Sequence, residues 1–374
     1  MLSSRHPSQQ PRVPVLSVSG TPIMPCRPAR ARKLVEQGKA TAKWRKGFYY
    51  IQMTVETEMH TQTTVVGVDP GSKREAFTVK AEHATFLNLQ SHARDGKQIK
   101  KDVETRANAR RARRGRNTPC RAPRYLNRSK KGCPPPSTKA RWQLKLNIIK
   151  HLCYLYPISV VVIEDVKAVM KKGNKHWNNS FSPIQAGKNW MYTQLESINL
   201  KVIKKTGMDT FHLRQAAGLD KTKNKLADVF IAHCVDSWVL ANEYVGGHVQ
   251  PDSIHMLLLK PLSYSRRQLH HFNPSEGSTR SRYGGTMSLG YKKGTLVRHP
   301  THGKCLIGGN WNGKASLHAT STMLRLCRNY SPNEMESISY SPWVVSGLHH
   351  NRLPVLKRSG TAARQNAAKL RLKL

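Results

Sequence analysis

Val65-Val66-Gly67-Val68-Asp69-Pro70-Gly71 is the stretch on which the reading of this chain turns. Four apolar or small residues run without alternation into a single acid and then a turn. A strand that is apolar on both faces belongs inside a sheet covered on both sides, so Asp69 is expected at the edge of a buried sheet. The same grammar recurs at Val160-Val161-Val162-Ile163-Glu164. A third acid, Asp236, interrupts the apolar run Val229-Phe230-Ile231-Ala232-His233-Cys234-Val235-Asp236-Ser237-Trp238-Val239-Leu240, read as one long helix over residues 225–241.

These placements matter because acids are scarce. The 374 residues hold 63 Lys and Arg against 21 Asp and Glu, a formal charge of +42. Burying an ionised carboxylate costs several kcal/mol unless it is compensated, on the order of the penalties seen in relaxed interiors. Three that converged would raise one another's pKa values and be best tolerated with divalent cations between them. Hard ions such as Mg²⁺ prefer these oxygen ligands. His233, three residues before Asp236, would share its helix face and could position or activate a water. A lone strand-end Asp before Pro-Gly is commonly only a turn former, and a lone helix His is commonly core. Neither explanation covers all four residues together. Asp165 points to the other side of its strand from Glu164, and Asp228 suits the first turn of the expected helix.

The positive charge calls for a polyanion. Phosphates accept Lys and Arg contacts and release counterions on binding, so nucleic acid is the expected partner. A membrane-surface role would need an amphipathic apolar face beside the charge, and no apolar run approaches the ~20 residues that span a bilayer. The seven cysteines, Cys26, Cys120, Cys133, Cys153, Cys234, Cys305 and Cys327, are scattered and hold no CxxC pair. That excludes a disulfide framework and a cysteine-built zinc site, and is expected of thiols in a reducing compartment. The N-terminus lacks the apolar core of a secretory signal. The chain is therefore expected in a prokaryotic cytoplasm or nucleoid, or an organelle stroma, and not outside the cell.

Around the acids, short β-like runs at residues 13–18 and 48–53 flank a basic stretch, 27–39. Strands are expected at 76–80 and 85–89, a helix at 139–154, and residues 167–205 show no clear period. Short strands with Gly turns at 295–298, 305–308 and 315–317 suggest a small β-barrel. Residues 106–116 carry Arg106, Arg110, Arg111, Arg113, Arg114 and Arg116. On a helix these spread around the axis and leave no apolar stripe to pack on protein, an arrangement most stable with phosphates on more than one side.

In this order the segments resemble the split RuvC nuclease of the IscB/IsrB family, compact RNA-guided relatives of the large CRISPR effector nucleases. Val66-Gly67-Val68-Asp69-Pro70-Gly71-Ser72, Val161-Val162-Ile163-Glu164 and His233-Cys234-Val235-Asp236-Ser237 resemble its three RuvC motifs. Arg110-Arg111-Ala112-Arg113-Arg114 resembles its RRxRR signature and bridge helix. Pro22-Ile23-Met24-Pro25 resembles its PLMP motif, with Ile for Leu. The 68 residues between Glu164 and His233 hold only His176 and His212, too short and too poor in ligands for the HNH nuclease that IscB carries there. The chain is therefore similar to IsrB, the HNH-lacking form.

The resemblance implies an α/β protein with an RNase H-like (RuvC) core on a mixed sheet. The implied units are a polar start (1–12), a PLMP-like module (13–60), RuvC parts at 61–104, 129–166 and 206–247, and a bridge helix (105–128). A basic insert (167–205), a C-terminal small β-barrel-like module (248–356) and a basic tail (357–374) complete them. The C-terminal module, with Tyr283-Gly284-Gly285-Thr286 and Lys292-Lys293-Gly294, is expected to read a short target-adjacent DNA motif. Implied too is nicking of the DNA strand displaced from an RNA–DNA hybrid, with two Mg²⁺ (or Mn²⁺) held by Asp69, Glu164 and Asp236 and His233 orienting or deprotonating the water. The partners would be a structured guide RNA and double-stranded target DNA on one protein copy. Arg27, Arg30, Arg32, Arg121 and Arg124 join the six bridge-helix arginines as nucleic-acid contacts. The competing readings are a guide-independent, structure-selective RuvC-like nuclease and an inactive basic RNA- or DNA-binding protein.

Overall fold

The computed structural model describes residues 11–93, 96–115, 134, 136–166, 181–262, 272–273, 277–279 and 287–349. The N-terminal module holds β1 (Val13–Leu16), β2 (Pro22–Cys26), α1 (Pro28–Glu36), β3 (Ala40–Arg45) and β4 (Phe48–Met53). Its sheet runs β2-β1-β4-β3, with β1 parallel to β4 and the other pairs antiparallel. Pro28 starts α1 where a missing N–H costs nothing, and Ala31, Leu34 and Val35 pack that helix on the sheet. The sequence points to a hairpin and one helix here and not to β3, whose Thr-Ala-Lys-Trp-Arg carries little apolar signal.

The central sheet takes β5 (Thr64–Asp69), β6 (Arg74–Ala81), β7 (Ala84–His92), β8 (Ile158–Glu164), β9 (Lys201–Lys205), β10 (Met256–Pro261) and, at the end of the chain's described part, β20 (Trp343–His349). Its order is β20-β10-β7-β6-β5-β8-β9. β5, β6 and β7 form an antiparallel meander, and β8 and β9 add in parallel beside β5. A meander extended by parallel strands on the side of its first strand is the RNase H-like arrangement, so the mixed α/β core is as expected.

Helices cover both faces. On one lie α3 (Pro136–Leu155) and α4 (Phe181–Glu196), packed through Leu146, Ile149, Met191 and Leu195 onto Val66, Val68, Val161 and Ile163. On the other lies α6 (Cys234–Val245), whose Leu240 and Ala241 meet Val65, Val160 and Val162. α5 (Gly207–Ala216) opens with a capping box in which Thr206 and Asp209 satisfy each other's backbone N–H groups. α4 and β9 fall in the stretch that lacks sequence periodicity. Gly67 lets α6 approach: a Cβ there would stand 1.9 Å from the Ser237 carbonyl oxygen and 2.9 Å from the Ala241 nitrogen.

The C-terminal module is an antiparallel sheet of β15 (Thr295–His299), β16 (Gly303–Trp311), β17 (Lys314–Ala319), β18 (Arg325–Tyr330) and β19 (Glu336–Tyr340), ordered β18-β17-β16-β15-β19. Two-residue ladders precede it, β11 (Phe272–Asn273) with β12 (Ser278–Thr279) and β13 (Met287–Ser288) with β14 (Tyr291–Lys292). Among the described residues the sheet is open at β18 and β19, where a barrel was expected. β10 and β20, assigned from sequence to this module, are strands of the central sheet instead. Their apolar runs carry no sign of which sheet they join.

α2 (Gly96–Gly115) is the arginine-bearing helix; it starts earlier than expected. Of its described side chains only Asp102 and Ala107 are even partly covered, so the described part of this helix presents itself to solvent. Among the described residues no helix is long and apolar enough to cross a membrane, and the described cysteines are free thiols. Tyr283, Cys120 and Cys133 lie outside the described residues.

Candidate active site

Strand parity aims the acids. Side chains alternate between faces, so Asp69 shares the face of Val65 and Gly67, and Glu164 that of Val160 and Val162; both look toward α6. Val68 is paired with Ile163, which leaves Asp69 and Glu164 side by side at the carboxyl ends of parallel neighbours. Asp165 faces the opposite way, accepting hydrogen bonds from Lys188 Nζ (3.0 Å) and Tyr192 Oη (3.0 Å) on α4.

The helix expected over 225–241 is instead a strap, residues 219–229, followed by a 3-10 turn (Phe230–Ala232) and then α6. His233 is therefore the residue capping α6 (φ −140°, ψ −36°) and not a helix-interior residue one turn from Asp236. Asp228 sits on the strap, not in a first helical turn. Its Oδ1 accepts from Arg74 Nε (3.0 Å), Gln90 Nε2 (3.0 Å) and His92 Nε2 (2.9 Å). Strap-forming Lys-Thr-Lys-Asn-Lys and β-branched Val229 weaken helix formation ahead of Phe230.

The three acids adjoin pairwise. Glu164 lies close enough to Asp69 and Asp236 to feel the charge of both, and its Oε1 lies 3.3 Å from where a Cβ on Gly207 would stand. The Lys221 ammonium hydrogen-bonds Asp236 Oδ2 and lies 4.0 Å from Asp69 Oδ2. Arg214 Nη1 reaches Asp236 Oδ1 at 3.0 Å. His233 Nδ1 is 2.9 Å from Asp69 Oδ2 and its Nε2 is 3.0 Å from the Lys225 carbonyl oxygen. The carbonyl can only accept, and Asp69, held below the usual carboxylate range, is ionised and accepts too. Both ring nitrogens then donate, and the ring is an imidazolium with no lone pair.

The electrostatics follow from this crowding. Burial pushes Asp69 upward, but the hydrogen bond from His233 and the charges of Lys221 and His233 together hold it below the ordinary range. Burial pulls His233 down, and the hydrogen bond to Asp69 with that residue's charge more than reverses it. Burial, then Asp69's charge, raise Asp236 against the pull of Lys221 and Arg214. Glu164 is pushed up to about 7, by burial first and then by the charges of Asp69 and Asp236.

Among the described residues no set of three His, Cys, Asp or Glu side chains already encloses a single point as a metal would require. The donor set nevertheless suits a hard divalent cation. Asp69 and Glu164 are neighbouring oxygen donors, and Glu164 feels the charge of Asp69 and Asp236, although His233, Lys221 and Arg214 bring three cations to the three acids. Asp236 differs, because two of the chain's own cations already hold it.

Sequence reasoning missed Lys221, Arg214 and Glu75. In a chain this basic, one more Lys or Arg carries no signal. Glu75 is a fourth acid beside the cluster, fully buried on β6 and paired with Lys145 Nζ at 2.5 Å. Burial, and in smaller part Asp69's charge, raise it. Its alternation within an apolar strand was legible; its partner on α3 was not. Of the expected nucleic-acid contacts, Arg27, Arg30, Arg32, Arg106, Arg110, Arg111 and Arg114 are exposed. Arg116, Arg121, Arg124 and the side chain of Arg113 lie outside the described residues.

Structures of RuvC are among the solved structures that the chain resembles. Thermus thermophilus RuvC in complex with a Holliday junction substrate aligns over 50% of this chain and 98% of its own, at 11% identity and a TM-score of 0.27. Thermus thermophilus RuvC alone aligns over 48% and 91%, at 12% identity and a TM-score of 0.23. No curated protein matches the chain in sequence. The model of the RRXRR family, described as RRXRR protein, matches residues 13–179, which span the N-terminal module, the first two carboxylates and the arginine-rich helix. That match to the RRXRR model falls on a chain whose central sheet has the RNase H-like strand order.

Proposed function

We propose that this protein is a divalent-metal-dependent, RNA-guided DNA nickase of the IsrB type, cutting the DNA strand displaced from an RNA–DNA hybrid. The observation that carries the reading is that Asp69, Glu164 and Asp236, from three separate stretches of sequence, meet where two parallel strands end against the start of α6. A basic scaffold that only binds has no need to bring three acids into one neighbourhood.

Asp69, Glu164 and Asp236 would hold two ions of the Mg²⁺ class, which supply Lewis acidity at the phosphodiester and a nucleophilic water at neutral pH. The chain's own residues prepare that site. His233 clamps Asp69 through Nδ1 and is itself braced by the Lys225 carbonyl, so it orients the carboxylate. With Nδ1 turned to Asp69 and Nε2 to the Lys225 carbonyl, His233 is given the positioning role in this reading. Arg214 fixes the rotamer of Asp236. The exposed arginines of α2 bind phosphate from several sides, and the N-terminal module adds Arg27, Arg30 and Arg32. Guide pairing would select the target, with the protein reading hybrid shape and a short flanking motif.

The test is a nicking assay on supercoiled plasmid with the co-purified RNA retained or removed. Asp69→Ala should abolish nicking and leave RNA-guided DNA binding intact. Nicking that persists in that variant refutes the site, and nicking that survives RNA removal refutes the guided reading.

A further inference from the structure

Asp69 and Asp236 already share a cation that the chain itself supplies. Lys221 Nζ hydrogen-bonds Asp236 and stands 4.0 Å from Asp69. This is not a loose surface lysine. Its strap is pinned at many points: Asp228 by Arg74, Gln90 and His92, the Ala227 carbonyl by Gln90 Nε2 (3.1 Å), the Leu226 carbonyl by Arg74 Nη2 (3.3 Å), and the Thr222 N–H by the Ile231 carbonyl (3.1 Å). Buried Leu219 anchors its beginning beside Phe230 and Trp238. The ammonium is delivered to the acids by a built element.

The other edge of the cluster is different. Glu164 feels the charge of Asp69 and, more weakly, that of Lys221, yet among the described residues no Lys, Arg or His makes an ion pair with it. His233 and Lys221 both stand at Asp69 Oδ2, so among the described residues the edge formed by Asp69 Oδ1 and Glu164 is the one that no cation of the chain contacts. The cluster's other edge, Asp69 with Asp236, is occupied by nitrogen. An ion entering the second edge must displace an ammonium that the strap holds in place, because two cations only a few ångströms apart repel one another.

Resting on the metal-dependent reading above, we propose that Lys221 occupies one of the two cation positions of the cluster. The chain free of nucleic acid then takes up a single divalent ion, at Asp69 and Glu164, and a second only when the ammonium is withdrawn. Lys221 thereby sets the order in which the site is loaded and keeps the free protein from assembling a complete ion pair.

Manganese(II) titration of the full-length chain, stripped of nucleic acid, reads this directly. Calorimetry counts the ions, and electron paramagnetic resonance separates an isolated ion from a spin-coupled pair. The wild type should bind one ion with an isolated-ion spectrum. Lys221→Met, which keeps the length and removes the charge, should bind two with a coupled spectrum; Lys221→Arg should bind one. A coupled pair in the wild type overturns the proposal without touching the nuclease reading, and does so whether or not the variants fold. A single ion in a folded Lys221→Met protein likewise overturns it. Absence of binding at this cluster in every form overturns both.

Discussion

His151 offers a sharp test of the packing that joins the modules. It lies on α3, 3% exposed, its ring 5.1 Å from that of Phe48 on β4 and 5.8 Å from that of Trp343 on β20. Among the described residues neither of its nitrogens has a hydrogen-bond partner. Burial, reinforced by the charges of Lys46 and Arg45, lowers its pKa to about 3 from the ordinary 6.5. The unfolded chain therefore takes up a proton below pH ~6.5 that the folded chain refuses until pH ~3, and stability falls with pH across that window. Between pH 7.5 and 5 the unfolded state gains about 1.5 log units of protonation free energy, or about 2 kcal/mol at 1.36 kcal/mol per unit. His151→Phe keeps an aromatic ring among Phe48 and Trp343 and removes the proton site. Urea melts of wild type and variant at the two pH values should show the wild type losing about 2 kcal/mol more than the variant. Equal losses would mean that His151 is protonated in the folded protein, and the packing described for it would be wrong.

Other expectations follow from the same geometry. Gly67→Ala puts a methyl against the backbone of α6, and overpacking of this kind costs about 1–3 kcal/mol or more; a thermal midpoint equal to wild type would refute the close approach. Replacing Arg110, Arg111 and Arg114 together with Ala should weaken RNA binding and flatten its log–log salt dependence by about 2, near 0.7 for each single-strand phosphate no longer neutralised. Asp228→Asn should release the strap, and trypsin should then cut at Lys221, Lys223 or Lys225 about tenfold faster for each ~1.4 kcal/mol of lost anchoring; an unchanged rate would show that Asp228 does not hold it.

The heart of the central sheet is legible because β5 and β8 are written in uninterrupted apolar residues. Asp69 and Glu164 are legible since each ends such a strand, and parity alone puts them on one face. Two things were not legible. Residues 225–233 share the apolar character of the helix they lead into, so periodicity extends α6 backward, while the bonds that keep the strap extended come from Arg74, Gln90 and His92, far away on β6 and β7. The cations beside the acids were hidden by composition, as any of 63 Lys and Arg could have served. The state of His233 belonged to the same class of unknown, since it depends on the Lys225 carbonyl, a backbone atom that no side-chain pattern announces.

β10 and β20 lie next to each other, and where they part the Leu262 N–H still donates to the Pro342 carbonyl at 2.9 Å. The described residues between these strands, 272–273, 277–279 and 287–341, thus leave and re-enter the core through one doorway, and they also touch β3, where Lys304 Nζ lies 4.1 Å over the Trp44 ring. Such a cassette can be lengthened, exchanged or replaced by a tight hairpin with both flanking strands kept in register, so its evolution is free of the catalytic sheet's. The same doorway makes it a lever, since a pull on the cassette reaches β10 through the Leu262–Pro342 hydrogen bond and β3 through the contact of Lys304 with Trp44.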